Sequence, residues 1–348
     1  MSPKFRGDAE DWLDQEEGSG PRLRKQGGGR GGSISPERAN ATVAEVFPKQ
    51  CTVVLDRDGS EAACAYRRAT VLAWEDVRER SPVAVGDRVL VESLKNEPGA
   101  AVMQGVATRK NALERPAPGR DRSQEGRSIK HVIAANVDVL VIVASVREPE
   151  FPDGLVDRYL IAAQKAKIEP LICVTKMDLL RGASSTVSSP SDNESQPWFK
   201  YRQLGFAVRT VCSKNGVGID ELRTELAERR AVFAGQSGVG KTSLLTALIG
   251  HAVGKTTEVN PMTGKGRHTT TSAVLLRPAG WIDTPGVREF GLLGVTSEEL
   301  AGYYPEFAEL SCARFSCMHL DEPECAARSL PRYASYRRIL ESLLAGDY

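Results

Sequence analysis

The chain has 348 residues, of which 41% are hydrophobic and 26% are charged, and its formal net charge is +1. This length corresponds to about two or three domains, and the composition is that of a protein that buries a core. The balanced charge excludes a global attraction to nucleic acid, so any RNA binding has to come from local patches. No apolar run reaches the roughly 18 residues of a membrane span, and the N-terminus lacks the apolar core of a signal peptide. We therefore expect a cytoplasmic protein with no membrane partner.

Residues 1–40 are predicted to form a disordered tail. An acidic block is followed by the basic, glycine-rich stretch RLRKQGGGRGGS, and neither offers enough apolar surface to offset the entropy of ordering the chain. The basic stretch could serve as an RNA-binding arm or be a solvated extension. Composition favours the extension.

Residues 41–112 are predicted to form a small OB-type β-barrel. Alternating segments recur between turn signals, namely ATVAEVF, CTVVLD, EAACAY, ATVLAW and RVLVESL. Period-two alternation in short segments is typical of antiparallel strands, and five such strands suit a barrel of the kind that binds oligonucleotides. Several basic side chains could form a cationic face or a solvated surface, and the sequence leaves both open. They are Arg57, Arg67, Arg68, Arg88, Arg109 and Lys110.

Residues 127–292 are predicted to form an α/β domain that follows an Arg- and Pro-rich linker at 115–127. The runs VDVLVIVASV and PLICVT are continuously apolar, as expected of parallel strands that are buried on both faces. Helical periodicity in GLVDRYLIAAQKA and GIDELRTELAERR predicts helices on both sides of the sheet. The Ser-rich stretch at 182–197 indicates a surface insertion.

The strongest local signal is a phosphate-binding loop, GQSGVGKT, between the strand-like AVFA and the helix-like SLLTALIG. Glycines let backbone N–H groups turn toward phosphates, a lysine can bridge the β and γ phosphates, and the following hydroxyl can ligate Mg²⁺. The residues predicted to contact the phosphates and magnesium are Gly235, Gln236, Ser237, Gly238, Val239, Gly240, Lys241, Thr242 and Ser243.

A second phosphate-sensing segment, DTPG, follows the short strand WID. Asp283 is predicted to hold Mg²⁺ together with Thr242, and the Gly286 amide is predicted to sense the γ-phosphate. Between the two phosphate motifs lies GKGRHTTTSAVLL, whose composition suits a mobile switch. A threonine of that switch, Thr269 or Thr270, would coordinate Mg²⁺ only when the γ-phosphate is present.

Two further segments are predicted to read a guanine base. In TKMD, Asp178 can accept the paired N–H donors of guanine, Lys176 can lie along the base, and Thr175 and Met177 complete the loop. Adenine has no such pair of donors. The loop Cys212-Ser213-Lys214, after the strand FAVRTV, can supply a second contact to the base.

Residues 293–348 are predicted to form a mostly α-helical, zinc-binding domain. Cys312, Cys317, His319 and Cys325 provide three thiolates and an imidazole, which fill a tetrahedral zinc shell and indicate a structural site. The helical segment LPRYASYRRILESLL follows, and it could pack on this module or contact RNA.

The order of these motifs is unusual, because TKMD and CSK precede the phosphate loop. The series TKMD, CSK, GQSGVGKT, GRHTTT, DTPG resembles the circularly permuted GTPases of the RsgA family, from residue 41 to the C-terminus. The resemblance implies an OB-fold, a permuted GTPase domain and a zinc domain. It also implies that the chain hydrolyses GTP when stimulated by the 30S ribosomal subunit, and that it binds 16S rRNA as a monomer during late subunit maturation.

Two residues depart from the pattern of that family. Thr175 stands where the base-reading motif usually has Asn, and Cys212 stands where the second loop usually begins with Ser. We expect the preference for guanine to survive, because a threonine hydroxyl can still bond to neighbouring backbone.

The position just after DTPG does not hold a residue that could orient the attacking water. Val287 occupies that position, where many small GTPases have a glutamine, and it cannot form a hydrogen bond. The resemblance to the RsgA family implies that His268 takes this role, with Lys241, Thr269 and Thr270 completing the catalytic group.

Three classes of function are compatible with these motifs. The first is a GTPase of the small ribosomal subunit. The second is a nucleotide-gated RNA-binding protein with another RNA or the large subunit as its target. The third, an ATP-using phosphoryl transferase, is disfavoured by TKMD.

Overall fold

The computed structural model describes most of the chain between residues 33 and 346. The described ranges are 33–48, 50–66, 81, 83–94, 97–116, 130–180, 194–251, 273–284, 291–308, 310–312, 317–320 and 322–346. Among the helices in these ranges, none has both the length and the apolar character that a membrane span requires.

A closed five-stranded barrel occupies the N-terminal part of the described chain. A short strand, β1, lies at Ser33–Ile34 before the barrel. The barrel strands β2 to β6 are Ala41–Val46, Gln50–Leu55, Glu61–Tyr66, Arg88–Ser93 and Ala100–Ala107. The strands pair in the ring β2-β3-β4-β6-β5-β2, in which only β4 and β6 run parallel. Alternate side chains of β3, such as Cys51 and Val53, point into the barrel core. A sheet that closes on itself in this way leaves no barrel edge open.

Four of the five predicted barrel segments are strands, and the fifth barrel strand was not predicted. ATVLAW lies at 69–74, outside the described residues, and β6 completes the ring instead. The predicted tail also extends too far, because Ser33 and Ile34 pair with Val106 and Ala107 of β6. Backbone pairing with an existing strand orders this segment although its composition is polar.

The second unit is an α/β domain with a mainly parallel sheet. Strands β7 and β8, Ala112–Pro116 and Lys130–Ala135, pair with each other in a separate two-stranded sheet. The domain's main sheet contains β9 to β14, at Val139–Ser145, Glu169–Thr175, Ala207–Thr210, Ala231–Ala234, Val274–Leu276 and Trp281–Asp283. Its helices α1 to α4 are Asp153–Ala166, Phe199–Gln203, Ile219–Glu225 and Lys241–Ile249, and α5 of the C-terminal module is Tyr333–Ala345. The sheet order is β13-β14-β12-β9-β10-β11, and every strand from β14 to β11 is parallel to its neighbour.

Strand β9 lies at the centre of this sheet, and all of its residues are buried. Leu140 and Ile142 share one hydrophobic cluster with side chains of α1 and α2, whereas Val141 and Val143 share another with side chains of α3 and α4. Because successive side chains of a strand point to opposite faces, a continuously apolar strand requires helices on both sides. The predicted helix over GIDELRTELAERR is shorter than expected and ends at Glu225.

The barrel and the α/β domain are joined through the sheet itself. Edge strand β13 contacts β2 of the barrel, with Val274 paired to Glu45. Arg109 forms hydrogen bonds of 2.8 and 2.9 Å to the fully buried carboxylate of Asp87, on the loop before β5. The predicted linker begins later than expected, because Arg115 still belongs to β7, which pairs with β8.

The described residues of the C-terminal module contain short 3-10 turns and helix α5. The turns are Leu300–Tyr303, Pro305–Phe307 and Ala326–Ser329. Tyr336, Ile339 and Leu340 of α5 are buried at helical spacing in a cluster that also contains Ile161 of α1. Helix α5 therefore packs its apolar face on the module, and the module packs on the α/β domain.

Candidate functional site

The predicted nucleotide-binding residues meet at one edge of the parallel sheet. TKMD begins at Thr175, the last residue of β10, CSK follows β11, the phosphate loop follows β12, and Asp283 ends β14. Because these strands are parallel, their carboxyl ends lie at the same edge, which is where open α/β sheets bind ligands. The arrangement brings together segments that are far apart in the chain.

The phosphate loop turns directly from β12 into α4. A side chain at Gly235 would place its Cβ 2.4 Å from the carbonyl oxygen of Val143, so only glycine fits there. Gly240 has a φ of +89° and precedes the first residue of α4. Ser237, Gly238, Thr242 and Ser243 are exposed and Gln236 is half-buried. The loop thus presents the N-terminus of a helix to solvent, and such a terminus attracts anions.

Lys241 and Asp283 contact each other at this edge. Lys241 donates hydrogen bonds to the Asp283 carboxylate and to the Thr284 carbonyl oxygen, and its side chain is only 10% exposed. The Thr284 hydroxyl donates to the Phe233 carbonyl oxygen at 2.7 Å, which fixes the end of β14 to β12. A cation and a carboxylate therefore lie side by side at the start of α4.

Thr175 connects the TKMD motif to the phosphate loop. Its side chain is buried, and its hydroxyl oxygen lies 2.5 Å from the Val239 carbonyl oxygen and 3.2 Å from that of Ala144. Lys176 adopts a φ of +60°, and its aliphatic chain lies 3.8 Å from the position that a Cβ on Gly240 would take. The threonine that replaces the expected asparagine thus makes a direct bond to the phosphate loop.

Asp178 is held by the second predicted base loop. Lys214 donates to its carboxylate at 2.6 Å, and the Cys212 thiol lies 3.6 Å from its other oxygen. The hydrogen bond from Lys214 lowers the pKa of Asp178 below its ordinary value, so this side chain is an anion at neutral pH. Ser213 and Met177 are half-buried beside it. The two loops therefore meet at Asp178.

The turn between β9 and α1 is a part of this edge that the sequence analysis missed. Lys176 donates to the carbonyl oxygen of Glu148, and the Pro149 ring lies 3.8 Å from the position of a Cβ on Gly238. The sequence REPEFP contains no nucleotide-binding signature, so only the fold reveals this contact. Other predicted residues, namely His268, Thr269, Thr270 and Gly286, lie outside the described ranges.

The predicted metal ligands come together in the C-terminal module. The ligand atoms of Cys312, Cys317, His319 and Cys325 all lie within 4.8 Å of one another. The Cys317 and Cys325 sulfurs are 3.7 Å apart, and His319 Nδ1 lies 3.5 Å from the Cys312 sulfur and 3.3 Å from that of Cys325. Bonds of about 2.3 Å to sulfur and about 2.0–2.1 Å to nitrogen place tetrahedral zinc ligands about 3.5–3.8 Å apart. The cluster is compatible with zinc.

The ligand loop is braced by side chains that the sequence analysis did not assign. Tyr336 donates to the Met318 carbonyl oxygen at 2.8 Å, and Tyr333 donates to that of Leu320 at 3.0 Å. The Glu322 carboxylate accepts from the backbone N–H groups of Met318 and Leu320 at 2.7 and 2.8 Å. Such outer contacts orient the ligands of a metal site.

Protonation at the cluster suits metal binding. Burial raises the pKa of the Cys317 thiol to about 11, and burial lowers the pKa of His319 below its ordinary value. The imidazole is therefore neutral near pH 7 and ready to donate its electron pair. The thiol has to lose its proton to the solvent when a metal binds, so metal affinity falls as the pH falls.

Comparison with known proteins identifies the family. The model of the RsgA GTPase family matches residues 106–293. The small ribosomal subunit biogenesis GTPase RsgA of Chlorobaculum parvum is 38% identical over 84% of this chain and 94% of its own length. The protein of the same name from Shewanella oneidensis is 33% identical over 92% of this chain and 90% of its own.

Two solved structures share the architecture. YjeQ from Thermotoga maritima has a TM-score of 0.60 and 28% identity, and the match covers 88% of this chain and 98% of that one. YloQ, described as a circularly permuted GTPase, has a TM-score of 0.58 and 22% identity over 88% and 96% of the two chains, which supports the fold alone. Sequence and fold agree, and the chain belongs to the RsgA GTPase family.

Proposed function

We propose that the protein binds the 30S ribosomal subunit during late maturation and hydrolyses GTP to GDP and phosphate in a subunit-stimulated way. Membership of the RsgA family makes the chain a GTP hydrolase. Small ribosomal subunit biogenesis is the role named for its relatives, and this supports the choice of subunit. The observation that carries the proposal is the convergence of base-reading and phosphate-binding segments at one sheet edge, between a barrel and a Cys/His cluster.

Guanine recognition is assigned to the loops that meet at Asp178. Its carboxylate would accept two N–H donors of the base, and Lys176 would lie along the ring. Lys214 and Cys212 support this role because they hold the ionised carboxylate at the open edge of the sheet. Adenine would offer this carboxylate no matching pair of N–H donors, so it would lose the two hydrogen bonds that guanine supplies.

Phosphate and magnesium binding are assigned to the start of α4 and the end of β14. Lys241 would bridge the β and γ phosphates, and Thr242 and Asp283 would hold Mg²⁺, which prefers oxygen ligands. When bound, the ion would neutralise charge that develops on the transferred phosphoryl group. Lys241 now contacts Asp283, so nucleotide binding would draw the lysine toward phosphate and leave the carboxylate for the ion.

Structural zinc is assigned to Cys312, Cys317, His319 and Cys325. Four protein ligands with these separations fill a closed tetrahedral shell, and no position is left for substrate. The metal would tie the 3-10 turns to α5.

RNA binding is assigned to the two modules that flank the GTPase domain. The barrel order β2-β3-β4-β6-β5 supports an OB-type fold, which many proteins use for oligonucleotides. We assign contacts with 16S rRNA to the barrel and the zinc module, and we expect the protein to act as a cytoplasmic monomer. Under this proposal the domain limits are 41–112 for the barrel, 127–292 for the GTPase domain and 293–348 for the zinc module.

The water-orienting role is assigned to His268, with Thr269 and Thr270 in the same switch segment. Replacing His268 with alanine should reduce subunit-stimulated GTP turnover by about 10²- to 10⁴-fold, the usual contribution of a positioned acid–base group. GTP affinity should stay near wild type. Phosphate release at saturating 30S subunits measures the first effect, and titration with a fluorescent GTP analogue measures the second. Unchanged turnover would exclude this role.

Thr175 is expected to govern nucleotide affinity through its hydroxyl. Thr175→Val keeps the shape but leaves the Val239 and Ala144 carbonyl oxygens without this donor, at a cost of about 1–3 kcal/mol. We expect GDP affinity to fall about tenfold, as measured by titration with fluorescent GDP. Thr175→Ser keeps the hydroxyl and serves as the control. Equal affinities of the two variants would contradict the expectation.

Cosedimentation tests the choice of subunit. Purified protein is mixed with separated 30S and 50S subunits in GDP or in a non-hydrolysable GTP analogue, and its partition into the pellet is measured. We expect binding to 30S subunits that is stronger with the GTP analogue, and GTP turnover that rises when 30S subunits are added. Selective binding to 50S subunits would favour the second class of function instead.

A further inference from the structure

Arg332 lies at the boundary between the C-terminal module and the GTPase domain, where its charge is almost completely buried. Its side chain is only 1% exposed. Nη1 lies 3.0 Å from the Asp157 carboxylate on α1, and Nε lies 2.7 Å from the Glu306 carboxylate in the C-terminal module. The guanidinium carbon is 4.5 Å from the ring centre of Tyr304. One cation thus joins the two units.

The joint favours the charge of Arg332, whereas burial works against the charge of Asp157. Burial opposes the charge of Arg332, but its bonds to Glu306 and Asp157 outweigh burial and raise the pKa of the guanidinium. Burial raises the pKa of Asp157 against the attraction of Arg332. Removing the arginine would deprive two buried carboxylates of their ion-pair partner, which buried sites tolerate poorly.

Helix α1 connects this joint to the nucleotide site. Asp157 lies in its second turn, and the helix begins at Asp153, directly after the turn that contacts Lys176 and Gly238. Two aromatic contacts hold that turn in place, because the centre of the Phe151 ring lies 6.1 Å from that of Trp198 and 6.0 Å from that of Tyr201. A helix is a stiff element, so fixing its second turn also fixes its start.

We propose that Arg332 is a positioning residue of the nucleotide site. It holds α1 through Asp157, and the turn before α1 holds the base-reading Lys176 against the phosphate loop. The inference rests on the proposed nucleotide site, although the partners of Arg332 in the described ranges, Asp157, Glu306 and the ring of Tyr304, are not among the residues assigned to the nucleotide. It gives the C-terminal module a role in GTP and GDP affinity that is separate from zinc binding and RNA contact.

Nucleotide titrations separate positioning from folding. Arg332→Met should raise the dissociation constant for fluorescent GDP about tenfold, within the range that residues without ligand contact reach. A purely structural role would reduce the fraction of protein that binds but leave the dissociation constant unchanged. Arg332→Lys keeps one positive charge and should recover part of the affinity. Arg337→Met is the matched control, since it removes an exposed arginine of the same helix that pairs with Glu341, and it should bind like wild type.

Asp157→Asn provides a milder test if Arg332→Met does not fold. It keeps an oxygen acceptor for the arginine, and we expect a smaller loss of affinity, about threefold. Hydrogen exchange without nucleotide should be faster in the turn at 146–152 of this variant, while β12 exchanges as in wild type. Unchanged GDP affinity in Asp157→Asn and Arg332→Lys would overturn the inference. Failure of the wild-type protein to bind GDP would instead refute the proposed nucleotide site.

Discussion

Replacing Cys317 with alanine is expected to abolish metal binding and unfold the C-terminal module. The described part of this module has short 3-10 turns and one long helix, and its ligand loop packs on Phe307 and Tyr336 through the His319 ring. Structural zinc contributes about 10–16 kcal/mol of apparent binding energy in small metal-dependent domains, and this energy is folding energy for them. Zinc content should fall from about one ion per chain to almost none, as measured by mass spectrometry of the metal.

The unfolding should be local, and a matched cysteine variant can show this. Limited proteolysis should cut Cys317→Ala after residue 292 while the barrel and GTPase domain stay intact. Cys173→Ala is the control, because Cys173 lies in the core of the parallel sheet, where burial raises its pKa to about 12. That variant should lose some stability but keep its zinc. A Cys317→Ala protein that binds zinc or resists protease at the module would refute the structural assignment.

Replacing Lys241 with methionine is expected to reduce GTP turnover by about 10²- to 10³-fold, the usual effect of losing one charge-stabilising donor. Methionine keeps most of the side-chain volume and removes only the cation that is assigned to the β and γ phosphates. Weaker GTP binding should accompany the loss, because the lysine contacts phosphate in the ground state as well. Single-turnover phosphate release at saturating GTP separates the two effects.

Lys130→Met is a suitable control for that experiment. Lys130 is half-exposed on β8 and pairs with Glu114 at 3.3 Å, far in the sequence from the phosphate loop. Exposed pairs of this kind contribute about 0–1 kcal/mol, so both stability and turnover should stay near wild type. If Lys241→Met also hydrolyses GTP at the wild-type rate, the phosphate loop is not the catalytic site.

The sites with local signatures could be predicted from the sequence. Gly235 stands where there is no room for a side chain, and Gly240 stands where the backbone turns to positive φ. The glycines of the motif are therefore required by the local backbone geometry. The four metal ligands fall within a short segment, and the pattern of β9 indicates its burial. In each case the residues that form the site or the strand are close together in the chain, so the pattern is visible in the sequence.

The contacts that depend on distant residues could not be predicted. Asp157 and Arg332 are 175 positions apart, and an arginine in a helical segment is normally exposed. Strand β6, AAVMQGVA, was missed because alanine and glycine favour strands weakly, and its neighbours in the barrel stabilise it instead. The turn at 146–152 has no signature, since it contributes a backbone carbonyl and a proline ring.

The pairing of β13 with the barrel has a consequence for solubility. A parallel sheet with an uncovered outer strand offers unpaired backbone groups to any other chain, and natural proteins cover or shorten such strands. Here β13 is short, and β2 of the barrel covers its outer side at Val274. A GTPase domain expressed without the barrel would expose the outer side of this strand at Val274. The barrel therefore also protects its neighbour from aggregation, whatever it binds.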